Sequence, residues 1–193
     1  RKSEEIANES QPSVFKDWMV FTKMRLASLV ILSAIAGYLF AGGGFDLGLL
    51  LLTIGGIFVT GASNGMNQII ERNLDKKMDR TKNRPIPAGR MTVKQGLIIV
   101  IICLAIGITL LAFINFKTTF WGFISFLLYS FVYTPLKPKT PWAVFVGAIP
   151  GAFPPFLGAL AYLDEYTLVP GILFMVQFMW QFPHFWAIAW VLR

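Results

Sequence analysis

Asn67, Glu71, Asp75 and Asp79 recur every four residues in the stretch N-Q-I-I-E-R-N-L-D-K-K-M-D-R-T-K-N-R-P, residues 67–85. On a helix each step of four overshoots a full turn by about 40°, so four such side chains form one slanting polar stripe. Arg72, Lys76, Lys77, Arg80, Lys82 and Arg84 lie between and after them, and Pro85 and Pro87 are expected to stop the helix. Oxygen ligands beside clustered Arg and Lys suit a hard divalent cation carrying a polyphosphate. Asn67, Glu71 and Asp75 are the candidate metal ligands and catalytic residues. Arg80 and Arg84 are candidate diphosphate ligands. Asp79, further along, either joins them or pairs with Lys82 or Lys76.

Almost everything around this stretch is apolar. The 193 residues are 55% hydrophobic and only 14% charged, with a mean hydropathy of +0.63, against about 25% charged in a soluble domain. Uncharged stretches cover residues 26–45, 47–70, 95–116, 118–136, 140–163 and 166–192. Each has about 20 residues or more, enough to cross a bilayer as a helix. Only helices satisfy the backbone in lipid without strand pairing. The expected fold is therefore an all-α integral membrane protein with six transmembrane helices. Residues 1–25 form a mobile polar tail and a short interfacial helix, and residues 26–193 the membrane domain.

The net charge of +7 comes from 17 Lys and Arg, and its placement argues for topology rather than a nucleic-acid partner. With a cytoplasmic N-terminus, all but Lys117 fall on the inner side, as the positive-inside rule requires. The polar stripe then faces the cytoplasm, in the manner of a bacterial inner-membrane protein.

Several other residues face the same side. Lys23 and Arg25 sit at the cytoplasmic mouth of the first span, where they either anchor to headgroups or touch a substrate. Tyr129, Ser130, Tyr133 and Thr134 end the fourth span, and Lys137 and Lys139 follow in a short loop. Pro150, Pro154 and Pro155 interrupt helical hydrogen bonding in the fifth span, as a cavity or a kink would require. Gln181 and His184, the only histidine, lie in the sixth. The imidazole is either buried against a carbonyl freed by Pro183 or in contact with a substrate. Cys103, the only cysteine, reads as a packed thiol.

These motifs resemble the UbiA superfamily of membrane prenyltransferases. Its signature N-x-x-x-D-x-x-x-D followed by R-T-x-x-R-P reads here as Asn67, Glu71, Asp75, then Arg80-Thr81 and Arg84-Pro85. Glu71 stands where the first Asp is usual, one methylene longer. Residues 133–140, 151–161 and 181–189 are similar to the haem O synthase branch, as are Lys23 and Arg25; Pro138 replaces a residue often basic there.

The resemblance implies a nine-helix bundle, and transfer of farnesyl from farnesyl diphosphate to a vinyl group of haem B (protohaem IX). It also implies Mg2+ on Asn67, Glu71 and Asp75. Lys137 and Lys139 would join Arg80 and Arg84 on the diphosphate, and Lys23, Arg25, Tyr133, Gln181 and His184 would line the haem pocket. A haem A synthase or an oxidase-assembly protein is the implied partner. A second acidic motif and about three more spans are implied beyond residue 193, so residues 1–193 alone are expected to be inactive. Two other readings compete: a prenyltransferase for a quinone or chlorin precursor, and a non-catalytic transporter or haem-assembly partner.

Overall fold

The computed structural model describes residues 14–191; the polar tail lies outside them. Among the described residues the chain is helical, without strands. Its helices are α1 (Val14–Thr22), α2 (Met24–Phe40), α3 (Leu47–Asp75), α4 (Val93–Ala112), α5 (Phe116–Leu136), α6 (Ala143–Leu163) and α7 (Leu168–Val191). By length and composition α3, α4, α5 and α6 can each cross a membrane, and α1 with α2, bent by 49°, can form a fifth span. The sequence expectation was six. The remaining helix, α7, has 24 residues and no charged side chain.

At 29 residues, α3 is about 43 Å long, well beyond a hydrocarbon core of about 30 Å. One end of so long an apolar helix must emerge, and the C-terminal end carries the polar stripe. Asp46 caps the other end: its carboxylate accepts from the Leu49 N–H at 2.9 Å and the Tyr38 hydroxyl at 2.7 Å. Those two bonds, the Leu49 amide first, hold the carboxyl below its ordinary range.

Close packing depends on small residues. A side chain on Gly55 would press on Gly107 and Leu111 of α4, and one on Gly65 on Phe21 and Val100. The α2–α6 crossing is tighter. A Cβ at Gly158 would fall inside the Ala34 carbonyl, and one at Gly37 inside that of Pro155.

One sequence expectation is decided and another corrected. Of the cavity and the kink offered for the three prolines, the cavity holds: Pro150 and Pro154 line one, Pro155 packs on Gly37, and α6 stays helical over 21 residues. The stripe helix does not run to Pro85. It ends at Asp75, where the Thr81 hydroxyl donates to the Asp75 carbonyl at 3.0 Å. Like charges at Lys76 and Arg80, four apart, would also have opposed another helical turn. The chain turns instead through residues 76–91, with Pro85 and Ile86 buried.

Candidate active site

Asn67, Glu71 and Asp75 share one face of α3 and are 2%, 8% and 3% exposed. Burial of three polar groups on successive turns is costly unless each is partnered. Each partner comes from a different segment. Lys23 Nζ donates to Asn67 Oδ1 at 3.2 Å, Lys137 Nζ to Glu71 Oε1 at 3.2 Å, and an Arg84 guanidinium nitrogen to Asp75 Oδ2 at 2.7 Å. Three cations against two carboxylates leave one positive charge in excess, an arrangement that favours an anionic ligand.

Lys23 is held there with some strain. It lies between α1 and α2 at φ 49°, ψ 51°, a left-handed conformation uncommon for a residue with a Cβ. Two α3 amides fix this hinge. Gln68 Nε2 donates to the carbonyls of Val20 at 3.0 Å and Phe21 at 2.8 Å, and Asn64 Nδ2 to that of Thr22 at 3.0 Å. These are the last carbonyls of α1, where helical donors run out; that of Val20 also accepts from the Lys23 N–H at 3.4 Å. A second tie closes the loop: Asp17 of α1, 7% exposed, accepts from Arg90 Nε at 3.1 Å. Arg90 also donates to the Asn83 carbonyl, next to Arg84.

Gln68→Leu keeps the volume and removes both donors, so it should free the hinge and move Lys23. We expect the dissociation constant for Mg2+-pyrophosphate, the kind of anion the stripe suits, to rise about fivefold. Calorimetric titration with pyrophosphate checks this; an unchanged constant would contradict the role given to the hinge.

Thr134 was not among the residues the sequence placed in the site. Its hydroxyl accepts from Asn67 Nδ2 at 3.3 Å and donates to the Tyr129 carbonyl at 2.8 Å. Residues Leu128–Tyr133 are π-helical, and the signal was Thr134-Pro135. Proline removes an N–H and crowds the carbonyl four residues back, and a widened turn relieves both. Such turns are frequent at functional sites, and this one turns Tyr129 and Tyr133 toward a cavity.

That cavity, about 410 Å3, is walled by α2, α3, α4, α5, α6 and α7, and its lining residues nearest the stripe along the chain are Asn64, one turn before Asn67, and Tyr133, next to Thr134. Ile31, Leu52, Val59, Leu111, Phe153 and Leu157 make it mostly apolar. Gln181 lines it too, with Nε2 donating to the Ala148 carbonyl at 3.0 Å.

The remaining candidates stand apart. Arg25, Arg80 and Lys139 are exposed. Asp79 is exposed and pairs with Lys82 at 2.7 Å, the plainer of its two readings. His184 is exposed, which goes against the buried imidazole, one of its two readings. Its recorded neighbour is the Phe185 ring, at 6.0 Å.

The stripe suits a magnesium ion. Among the described residues no group of three or more His, Cys, Asp and Glu is gathered, so a closed metal cage is not on offer. Two buried carboxylates and an amide oxygen on one face are enough for an ion that keeps several waters and takes few protein ligands.

The UbiA prenyltransferase family model matches residues 30–193. The chain belongs to the UbiA prenyltransferase family. The protoheme IX farnesyltransferase of Christiangramia forsetii is 53% identical over 179 residues, covering 92% of this chain and 60% of that protein. The Flavobacterium psychrophilum protein of the same name is 51% identical over 184 residues, covering 93% and 61%. This UbiA chain thus spans about three-fifths of the length of those relatives. Solved structures share the fold. A digeranylgeranylglyceryl phosphate synthase superposes with a TM-score of 0.76 at 22% identity, covering 85% of this chain and 58% of the other. A UbiA homologue from Archaeoglobus fulgidus bound to GPP and Mg2+ superposes at 0.66 and 18% identity, covering 87% and 62%.

Proposed function

We propose that this protein transfers a farnesyl group from farnesyl diphosphate to a vinyl group of protohaem IX, forming haem O, at the cytoplasmic face of the membrane. The observation that carries the reading is the buried Asn67–Glu71–Asp75 face, met by Lys23, Arg84 and Lys137 and opening beside an apolar cavity. The relatives' common name supports the choice of prenyl donor and acceptor. On this reading α7 is a sixth span.

Asn67, Glu71 and Asp75 would hold Mg2+, which when bound would supply positive charge to offset that of the diphosphate. Arg84, Lys137 and Lys23 bind the remaining oxygens. As the allylic C–O bond breaks, the electron pair leaves with diphosphate, and these cations are already in place to stabilise it. The farnesyl carbocation lies in the apolar cavity, where Tyr129, Tyr133 and Phe153 present aromatic groups and water is excluded. The π electrons of the vinyl group form the new C–C bond. Water then adds to the resulting cation and loses a proton, giving the hydroxyethylfarnesyl side chain. No nucleophilic side chain is needed.

Expression of the complete gene in cells lacking haem O should yield haem O by mass in extracted haems. Stripping divalent metal should stop its formation and added Mg2+ restore it. Haem B alone, in cells that accumulate the protein, would contradict the reading.

A further inference from the structure

A second concavity, about 380 Å3, lies between the α5–α6 loop and the start of α6. Lys137, Lys139 and Thr140 supply its polar side, and Pro138, Pro141 and Val144 its apolar walls. Tyr133 lines both this groove and the interior cavity. Its ring lies against Gly147, where a Cβ would meet Tyr133 Cδ2 at 2.6 Å. One aromatic ring is thus the partition between the two spaces.

The two lysines differ. Lys137 is committed to Glu71, whereas the Lys139 ammonium has no ion-pair partner among the described residues. The loop that carries Lys139 is stiff. Its own N–H and that of Thr140 both donate to the Leu136 carbonyl, at 2.9 and 3.2 Å, the Trp142 N–H donates to Thr140 Oγ1 at 3.3 Å, and Pro138 and Pro141 fix the backbone. A fixed, uncompensated cation over an apolar wall favours an amphipathic anion, and the stripe is the better place for a diphosphate.

We infer that this groove is the acceptor's carboxylate subsite: Lys139 pairs with the propionates of the macrocycle, whose apolar plate lies on the proline walls. The inference rests on protohaem being the acceptor. Propionates and vinyl groups occupy opposite edges of protohaem, so pairing at Lys139 directs the vinyl edge toward Tyr133 and the prenyl cavity. It also reassigns Lys139, which the sequence grouped with the diphosphate ligands.

The test uses the complete gene product in detergent, with haem binding followed by the Soret band and farnesyl transfer measured in parallel. The acceptors are protohaem and its dimethyl ester, which lacks the propionate charges. Lys139→Ala should weaken protohaem binding about fivefold, leave ester binding and KM for farnesyl diphosphate unchanged, and be rescued by Lys139→Arg. Equal losses for protohaem and ester would mean a headgroup contact or a folding role, and would overturn the inference, as would unchanged protohaem binding. If protohaem binds in a Lys139-dependent way but is never farnesylated, the subsite stands and the proposed reaction falls. Farnesylation without Lys139 dependence gives the reverse.

Discussion

Asp75→Asn is expected to lower farnesyl transfer about a hundredfold while the protein still accumulates in the membrane. Asp75 is 3% exposed and meets Arg84 at 2.7 Å, so the substitution removes a charge from the proposed metal site, beside the guanidinium. Asparagine keeps the shape, and the loop retains its bond from Thr81 to the Asp75 carbonyl, so the loss should be chemical rather than structural. Asp79→Asn is the matched control. It alters the same four-residue repeat, but its carboxylate is exposed and salt-bridged to Lys82. Exposed pairs contribute at most about 1 kcal/mol, and here transfer should stay within about twofold. Rates and protein levels measured together check both; equal effects of the two variants would contradict the account.

Gly158→Ala should be the most damaging packing change, destabilising by about 3 kcal/mol. The new methyl would fall inside the Ala34 carbonyl and 2.8 Å from the Tyr38 backbone nitrogen. Both obstacles belong to the α2 backbone, so no flexible side chain can yield. For a chain of this size that corresponds to a thermal shift of roughly 10 °C, readable in detergent. Gly171→Ala, in α7 with nothing within 4 Å, should be neutral or slightly stabilising, because alanine is the better helix former. A normal melting temperature for Gly158→Ala would show that α2 and α6 do not cross as closely as described.

What the sequence revealed follows from the nature of each signal. The stripe was legible because carboxylates every four residues on an otherwise apolar helix have a single physical reading, and Asn67, Glu71 and Asp75 do share a face. Lys23, Arg84 and Lys137 were visible as charges near that face, but charge alone did not separate them from Arg25, Arg80 and Lys139. That separation is made by tertiary ties: Gln68 and Asn64 on the α1 carbonyls, Arg90 on Asp17, and the turn at Thr81 that brings Arg84 back to Asp75.

Helix ends were the weakest inference. Prolines at 85 and 87 suggested a stop that Thr81 and the run of like charges impose ten residues earlier. In α6 three prolines pointed to a cavity or a kink, and Pro150 and Pro154 do line a cavity while the helix stays continuous. Thr134 was placed at the inner end of its span but given no role, because a π-turn has no periodicity of its own and only Pro135 marked it. The membrane character and family were readable throughout, since segregated charge and a long motif are properties of the chain rather than of its packing.

The central claim is that the inner end of α3 holds a metal-bound diphosphate. Its most direct test is a structure of the complete gene product with Mn2+ in place of Mg2+ and a non-ionisable thio analogue of farnesyl diphosphate, with the metal located by its anomalous signal. The account predicts an anomalous peak on the α3 face, with Glu71 or Asp75 oxygens within about 2.3 Å and Arg84 and Lys137 on the diphosphate. A metal and diphosphate bound elsewhere, with Glu71 still closed on Lys137 and Asp75 on Arg84, would contradict it.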